Sequence, residues 1–339
     1  MTKNELYKEI LNLAPYHSEK TDFREIQKEV LRNYTTLLSE LDKAECPKEW
    51  NLVVEQTGKR IDKLNDIATN SYRGLPSTAY TQLRNLLGDY KNQLMWVNIP
   101  VNTTFYRMRL IDGRRTNIEY KEMFHIPISK RRMVKTQRYS IPGFPCLYLG
   151  NSIYGCWEEM GRPMMSNCWV SKLSTKEEIR LLDLRIPDES TFQNKFLEYV
   201  QLFPLLIASM IPVKDNEDVY KPEYIIPQLL IEWLIKEKKD GVYYTSAHKS
   251  VDFEYPSEKS DNVAIPVKEP LKGKTNCPLL AALFRITHPL NNEIEQLKRG
   301  YPIDGGTYGS IDQLAENYNT SNFHYLEKRL EKVDLYDLQ

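Results

Sequence analysis

Apolar residues recur at helical spacing through the first 95 residues. After Asp22, which can cap a helix, they fall every three or four positions, at Phe23, Ile26, Val30, Tyr34, Leu37 and Leu41. A second stripe contains Ile61 and Leu64, a Gly-Leu-Pro-Ser segment at 74–77 interrupts the pattern, and a third stripe begins at Ala79. We therefore predict an all-helical N-terminal domain at 1–95. Two roles stay open for it: packing support for the rest of the chain, or regulation and partner binding.

From about residue 100 the apolar runs become shorter and more mixed. They predict strands at 104–110, 146–149, 168–173, 179–184, 241–246 and 262–267. Helices are predicted at 152–161, in parts of 189–210 and at 223–237. Strand and helix do not alternate regularly and no glycine-rich phosphate loop occurs, so the pattern favours an α+β domain at 96–290 over a Rossmann fold. Residues 291–339 are predicted to form a loop and a helical tail.

Composition and cysteine usage are typical of a folded protein of the cytoplasm. The chain has 339 residues, of which 41% are hydrophobic, enough to bury a core. No apolar run reaches membrane-spanning length, and the charged N-terminus does not resemble a signal peptide. The five cysteines form no Cys-x-x-Cys pair and the five histidines are scattered, so we expect reduced thiols and no metal site. We expect no membrane contact, and the oligomeric state stays open.

The formal net charge is zero, but one segment is strongly basic. From Arg107 to Arg138 there are ten Lys or Arg and three acidic residues, which leaves a local net charge of +7. A solvated basic surface would explain these residues, and so would a pocket for an anionic ligand such as a pyrophosphate. Aromatic residues such as Tyr106 and Tyr139 interleave with the basic ones, so nucleic acid stays an alternative although zero net charge does not favour it.

The segment 138–159 combines three kinds of chemistry in one turn–strand–helix unit. Arg138 precedes a Pro-Gly turn, Tyr148 lies in a short apolar strand, and Gly150 ends that strand. Asn151 or Ser152 can then cap a helix that carries Glu159. We expect the cation, the aromatic hydroxyl and the carboxylate to line one cleft that holds an anion, a ring and a developing positive charge.

This order of residues resembles the RES domain family, which is named for an arginine, a glutamate and a serine. The resemblance assigns the first two to Arg138 and Glu159, and adds Tyr148 on the strand between them. The family's serine follows a Gly-hydrophobic strand and precedes an Asn-hydrophobic-Pro strand, a context found here at 241–246 and 262–266. Ser246 fits that position, with Ser250 as a close competitor. An aromatic-Arg pair ending at Arg107 matches the start of the domain, and the resemblance covers roughly residues 96–290.

The resemblance implies a split, strongly bent sheet like that of ADP-ribosyltransferases, and a toxin that consumes NAD. NAD would be the substrate, and no further cofactor is implied. As catalytic residues, Glu159 would stabilise the positive charge that develops on the ribose, Arg138 would hold phosphates, and Tyr148 would pack on nicotinamide or ribose. Arg107 and Ser246 would bind NAD through its phosphates and its ribose or carboxamide.

Three questions about this function stay open. The acceptor could be water, phosphate or a macromolecule, and the last would make the protein an ADP-ribosyltransferase. A non-enzymatic binding module for nucleotide or nucleic acid is a further alternative. A toxin must be restrained, so we also expect an antitoxin or regulatory protein as a partner.

Overall fold

The computed structural model describes residues 1–14, 16, 18–90, 93–111, 117–215, 217–247, 260–268, 276–291 and 318–338. In this part of the chain the helices are α1 Lys3–Leu11, α2 Phe23–Ser39, α3 Trp50–Tyr72, α4 Pro76–Asp89, α5 Ile153–Glu159, α6 Glu189–Asn194, α7 Phe196–Met210, α8 Ile225–Lys236, α9 Pro278–Ala282 and α10 Asn322–Glu331. The strands are β1 Trp96–Ile99, β2 Thr104–Leu110, β3 Cys146–Gly150, β4 Cys168–Thr175, β5 Ile179–Leu184, β6 Gly241–Thr245, β7 Asp261–Pro266, β8 Phe284–Thr287, β9 Leu290–Asn291 and β10 Leu335–Asp337.

The chain divides into two compact units. The first comprises Met1–Trp96, Thr136–Pro142 and Leu182–Lys239, and the second comprises Val97–Lys135, Gly143–Leu181 and Asp240–Gln339. A compact unit is not by itself a segment that folds alone. The division into domains at 1–95, 96–290 and 291–339 therefore stays a prediction.

The first unit is built from helices. Asp22 caps α2, where its carboxylate accepts a hydrogen bond from the Arg24 N–H at 2.8 Å. The Tyr34 hydroxyl of α2 donates to the Val200 carbonyl oxygen of α7 at 2.6 Å, so the N-terminal helices pack around a later, largely apolar helix. Within the described residues, no helix combines the length and apolar composition needed to cross a membrane.

The strands of the described residues form one ten-stranded sheet. Its order is β1-β5-β6-β7-β3-β2-β4-β8-β10, and β9 pairs with β4. The ladders that join β6, β7, β3, β2, β4, β8 and β10 are antiparallel, unlike the parallel pairs of a doubly wound fold. Together with the helical N-terminal region, this confirms the α+β class.

Strand β2 separates two apolar clusters of the second unit. Phe105 belongs to the cluster that contains Leu147 and Val263, whereas Tyr106 and Met108 belong to the cluster on the other face. Side chains alternate between faces along a strand, so Arg107 and Arg109 lie on the Phe105 face, as their spacing predicts. The Tyr106 face packs against α5 and α10 through residues such as Trp157 and Phe323, whose ring centres lie 5.3 Å apart.

The six strands predicted from the sequence are all present, with ends that differ from the predicted ones by two residues at most. The sequence patterns did not predict β1, β8, β9 and β10, which have only two to four residues each. Such short runs carry too little alternation to be recognised. The C-terminal segment accordingly adds a strand to the sheet, beside its predicted helix.

We predict that Gly241→Ala lowers the free energy of unfolding by about 3 kcal/mol. A Cβ at Gly241 would overlap the main-chain oxygen of Ala264 on the neighbouring strand, and a backbone ladder cannot yield as a side chain can. Gly58→Ala is the matched control, because Gly58 lies inside α3 and its added Cβ would meet nothing within 4 Å beyond its chain neighbours and the backbone of its own helix. This control should gain about 0.5–1 kcal/mol from helix propensity. Urea unfolding of both variants measures the difference, and equal stabilities would contradict the prediction.

Candidate active site

Helix α5 carries Glu159 and begins directly after strand β3. Gly150 ends the strand, and a Cβ there would lie 2.8 Å from Cys156 Sγ and 3.0 Å from the Ser152 carbonyl oxygen. Ser152 is the N-cap residue, and its Oγ accepts a hydrogen bond from the Gly155 N–H at 2.8 Å. Glu159 is the last residue of this seven-residue helix. The tight start therefore decides where the carboxylate at the far end lies.

Asn262 of β7 holds Glu159 from the sheet. Its Nδ2 donates to Glu159 Oε1 at 3.0 Å and to the Ser260 carbonyl oxygen at 3.3 Å. Asn262 is 3% exposed and pairs in register with Gly150, whereas Glu159 is partly exposed. Sequence reasoning used Asn262 only to locate a strand. The sequence feature that could have identified Asn262 as a site residue is its position directly before the Val-Ala-Ile-Pro run.

The adjacent carboxylate of Glu158 has a different environment. Glu158 is buried, and its Oε1 lies 2.9 Å from Arg162 Nε in an ion pair. This pair occupies Glu158 within the structure. Of the two neighbouring glutamates, Glu159 is the one that a ligand can reach.

Arg107 of β2 contacts the strand that carries Tyr148. Its Nη1 donates to the Tyr148 carbonyl oxygen at 2.6 Å, and Tyr148 itself is half-buried in β3. Burial lowers the pKa of the Arg107 guanidinium to about 9, and the Arg109 charge adds to the shift. The group therefore remains a cation at neutral pH. Its buried Nε finds no hydrogen-bond partner among the described residues.

Arg109 extends this cationic region, and the side chain of His125 lies near both arginines. Arg109 Nη2 donates to the Phe124 carbonyl oxygen at 2.6 Å. The Cys277 N–H donates to His125 Nε2 at 2.8 Å, and His125 Nδ1 lies 2.8 Å from the Ile126 carbonyl oxygen. These contacts require a neutral imidazole with its proton on Nδ1. Burial lowers the pKa of His125 to about 4, and the charges of Arg107 and Arg109 act in the same direction.

Ser246 is fully buried immediately after β6. Its N–H donates to the Ser260 carbonyl oxygen at 3.0 Å, which ties it to the segment that leads into Asn262. Arg107, Tyr148, Glu159 and Ser246 all belong to the second unit. The competing Ser250 lies outside the described residues. The role of Ser246 in ligand binding stays a prediction.

Arg138 belongs to the first unit. Its Nη1 donates to the carbonyl oxygens of Ser209 at 2.9 Å and Ile211 at 3.0 Å, at the C-terminal end of α7. The guanidinium carbon lies 5.1 Å from the centre of the Tyr224 ring. A cation is favourable at a helix C-terminus, so this residue has a structural role in the unit that contains it. Its convergence with Tyr148 and Glu159 on one cleft stays a prediction.

Cys156 and Cys168 are not activated nucleophiles. All five are free thiols, and burial raises the pKa of Cys156 and of Cys168 to about 12. A thiol with so high a pKa is protonated near neutral pH and reacts slowly. In the described ranges, no group of three or more His, Cys, Asp and Glu side chains could hold a metal ion.

Comparison with known proteins gives two matches. The family model described as the RES domain matches residues 108–268. The chain is also 32% identical over 327 residues to a protein named putative toxin YopC of Bacillus subtilis (strain 168). That alignment covers 87% of this chain and 73% of the relative. No solved structure matches the chain.

We predict that Arg138→Ala lowers the free energy of unfolding by about 1–2 kcal/mol, because two carbonyl oxygens at the end of α7 lose a charged donor. Arg132→Ala is the control, since Arg132 is exposed in a short turn. Urea unfolding at neutral pH measures both. An unchanged stability of the Arg138 variant would show that its guanidinium does not bind the helix end in solution.

We predict that His125 makes the protein less stable as the pH falls from about 6.5 to about 4. The folded-state pKa is about 4 and the ordinary value is 6.5, so in this window the unfolded chain takes up a proton that the folded chain does not. The stability lost should be about 3 kcal/mol. Urea unfolding at several pH values measures it against His125→Gln, which should lack this part of the slope. Equal slopes for both proteins would contradict the assignment.

Proposed function

This chain belongs to the RES domain family, and on that basis we propose that it is a toxin enzyme that consumes NAD by breaking the nicotinamide–ribose bond. The family membership and the relative named as a toxin support a toxin-like function. The finer assignment to NAD rests on the chemistry of the candidate site. NAD is the substrate in this proposal, and no resident cofactor takes part.

One observation carries the proposal: Glu159 is a partly exposed carboxylate whose Oε1 accepts a hydrogen bond from the buried Asn262 at 3.0 Å. Asn262 provides a neutral donor, and among the described residues Glu159 forms no ion pair, so its carboxylate is available to a ligand. Glu158, bound to Arg162, shows the contrasting arrangement. A carboxylate that is held in place and available to a ligand suits a reaction that generates positive charge.

Cleavage of the nicotinamide–ribose bond is such a reaction. The carbon–nitrogen bond breaks with both electrons going to nitrogen, so the pyridinium leaves as neutral nicotinamide without being protonated. Positive charge grows on the ribose, as in glycoside hydrolysis. Glu159 would stabilise this charge and orient the attacking oxygen of water or phosphate, whose proton it would accept.

The arginines would hold the other end of the substrate. Arg107 and Arg109 lie on one face of β2, and Arg107 keeps an unmatched buried donor among the described residues. A pyrophosphate carries two negative charges and suits guanidinium groups. Arg138 is proposed to join them, Tyr148 to pack on the nicotinamide or ribose, and Ser246 to bind the ribose or carboxamide.

A macromolecular acceptor is the second candidate, and a specific surface favours it. The turn at Ile128–Met133 exposes Lys130, Arg131 and Arg132, and its Met133 is 67% exposed. A basic surface with an exposed apolar residue could receive an acidic protein or a nucleic acid. The protein would then transfer ADP-ribose to that partner and act as an ADP-ribosyltransferase.

A toxin that consumes NAD needs a partner that restrains it. We propose an antitoxin or regulatory protein, and the helical residues 1–95 as its docking surface. Expression of the chain without this partner should deplete NAD and arrest bacterial growth.

We predict that the purified full chain releases nicotinamide from NAD, and that Glu159→Gln lowers kcat by about 10²-fold or more. The substitution keeps the size of the side chain but removes the charge that the transition state needs. Nicotinamide is measured by chromatography, with and without inorganic phosphate. Free ADP-ribose identifies water as the acceptor, and its phosphorylated form identifies phosphate. Label from NAD that stays on a macromolecule identifies transfer.

Glu177→Gln is the matched control, because Glu177 is exposed and lies outside the candidate site. It should leave kcat unchanged. No nicotinamide release by folded wild-type protein would refute the enzyme proposal and favour a binding module. Full activity of the Glu159 variant would refute the site assignment alone.

A further inference from the structure

We propose that Glu327, on the C-terminal helix α10, is a positioning residue that holds the start of α5 and thereby aims Glu159. This inference rests on the proposed function, because it names a support for the same carboxylate. Glu327 does not contact the reacting atoms in this proposal. It acts through the helix that connects it to Glu159.

The contact is direct and buried. Glu327 Oε1 accepts a hydrogen bond from the Ile153 N–H at 2.9 Å and another from the Tyr318 hydroxyl at 2.5 Å. The residue is 6% exposed. A buried carboxylate is costly unless it is hydrogen-bonded, so these two donors account for its presence here.

Helix α5 needs this acceptor. The first N–H groups of a helix have no partner within the helix, and Ser152 Oγ accepts a hydrogen bond from the Gly155 N–H. Glu327 satisfies that of Ile153 and places a negative charge at the positive end of the helix dipole. A seven-residue helix is too short to be stable by itself, so such contacts determine its position.

The helix is held at both ends. Glu327 binds its first residue, Ile153, and Asn262 binds its last residue, Glu159. Glu159 lies six positions after Ile153, which corresponds to about 9 Å along a helix axis. A small tilt at Ile153 therefore displaces the Glu159 carboxylate, and a displacement of about 1 Å can cost about 10²-fold in rate.

The side chains of Tyr106, Tyr318 and His324 lie near Glu327. Burial and the nearby Glu327 raise the pKa of both Tyr106 and Tyr318. His324 Nδ1 lies 3.9 Å from Glu327 Oε2 on the same helix. An apolar residue could fill this space without burying a polar group. Only a side chain with an acceptor atom, such as the carboxylate of Glu327, can accept the hydrogen bond from the Ile153 N–H.

The first measurement is NAD cleavage by the full chain. Glu327→Ala should lower kcat by tenfold to about 10²-fold and change KM by less than twofold, because Glu159 is displaced while the substrate contacts remain. Glu327→Gln should restore most of the activity, since its amide oxygen still accepts from Ile153. Glu331→Ala is the matched control on the exposed side of the same helix. A raised KM with unchanged kcat would overturn the proposal.

The second measurement does not depend on activity. Hydrogen exchange of the α5 amides, followed by mass spectrometry, should be faster in Glu327→Ala and unchanged in Glu327→Gln and Glu331→Ala. If wild-type protein does not cleave NAD, the proposed function fails. Hydrogen exchange still tests whether Glu327 holds the start of α5. Unchanged exchange in Glu327→Ala would overturn the inference. If this variant does not fold, Tyr318→Phe replaces it, because it removes one of the two donors to the same oxygen and should raise α5 exchange to a smaller extent.

Discussion

The absence of a side chain at Gly150 is the constraint on which the candidate site depends. A Cβ there would meet Cys156 Sγ, the Ser152 carbonyl oxygen and Asn262 Oδ1, all within 3.1 Å. Strand β3, the start of α5 and strand β7 can therefore approach one another only around a glycine. Because of this close approach, Asn262 pairs with Gly150 in the sheet, and its side chain donates a hydrogen bond to Glu159. A larger residue would move the helix and with it the carboxylate.

Environment, and not residue type, separates the roles of similar side chains in this protein. Glu158 and Glu159 are neighbours, yet Glu158 is buried against Arg162, whereas Glu159 accepts a hydrogen bond from a neutral amide. The arginines differ in the same way. Arg138 donates twice to the end of a helix, whereas Arg107 makes one main-chain bond and keeps a buried donor unmatched among the described residues. A family pattern names such residues, but their neighbours decide which charge is available to a ligand.

Local features of the fold could be read from the sequence, and long-range contacts could not. The strand at 104–110 and the shared face of Arg107 and Arg109 follow from spacing and residue preference, and the structure places the cap at Ser152, one of the two residues that the sequence offers. The bond between Asn262 and Glu159 joins residues 103 positions apart, and that between Glu327 and Ile153 joins residues 174 apart. No periodicity encodes such pairs. The grouping of Arg138 with the other site residues is likewise a matter of tertiary structure and stays a prediction.

The physical unit around Glu159 is larger than the span matched by the family model. That span is 108–268, so it excludes the first part of β2 with Tyr106 and Arg107, and it excludes α10. Yet Tyr106 pairs in register with Gly150 of β3. Arg107 donates a hydrogen bond to the carbonyl oxygen of Tyr148, which lies two positions earlier on β3. From the other side, α10 supplies the acceptor for the first N–H of α5. The matched span holds the carboxylate, while residues before and after it determine the position of the strand and the helix that carry the site. In the proposed site, segments on both sides of the matched span would therefore help to position Glu159, because a short helix must be held from outside.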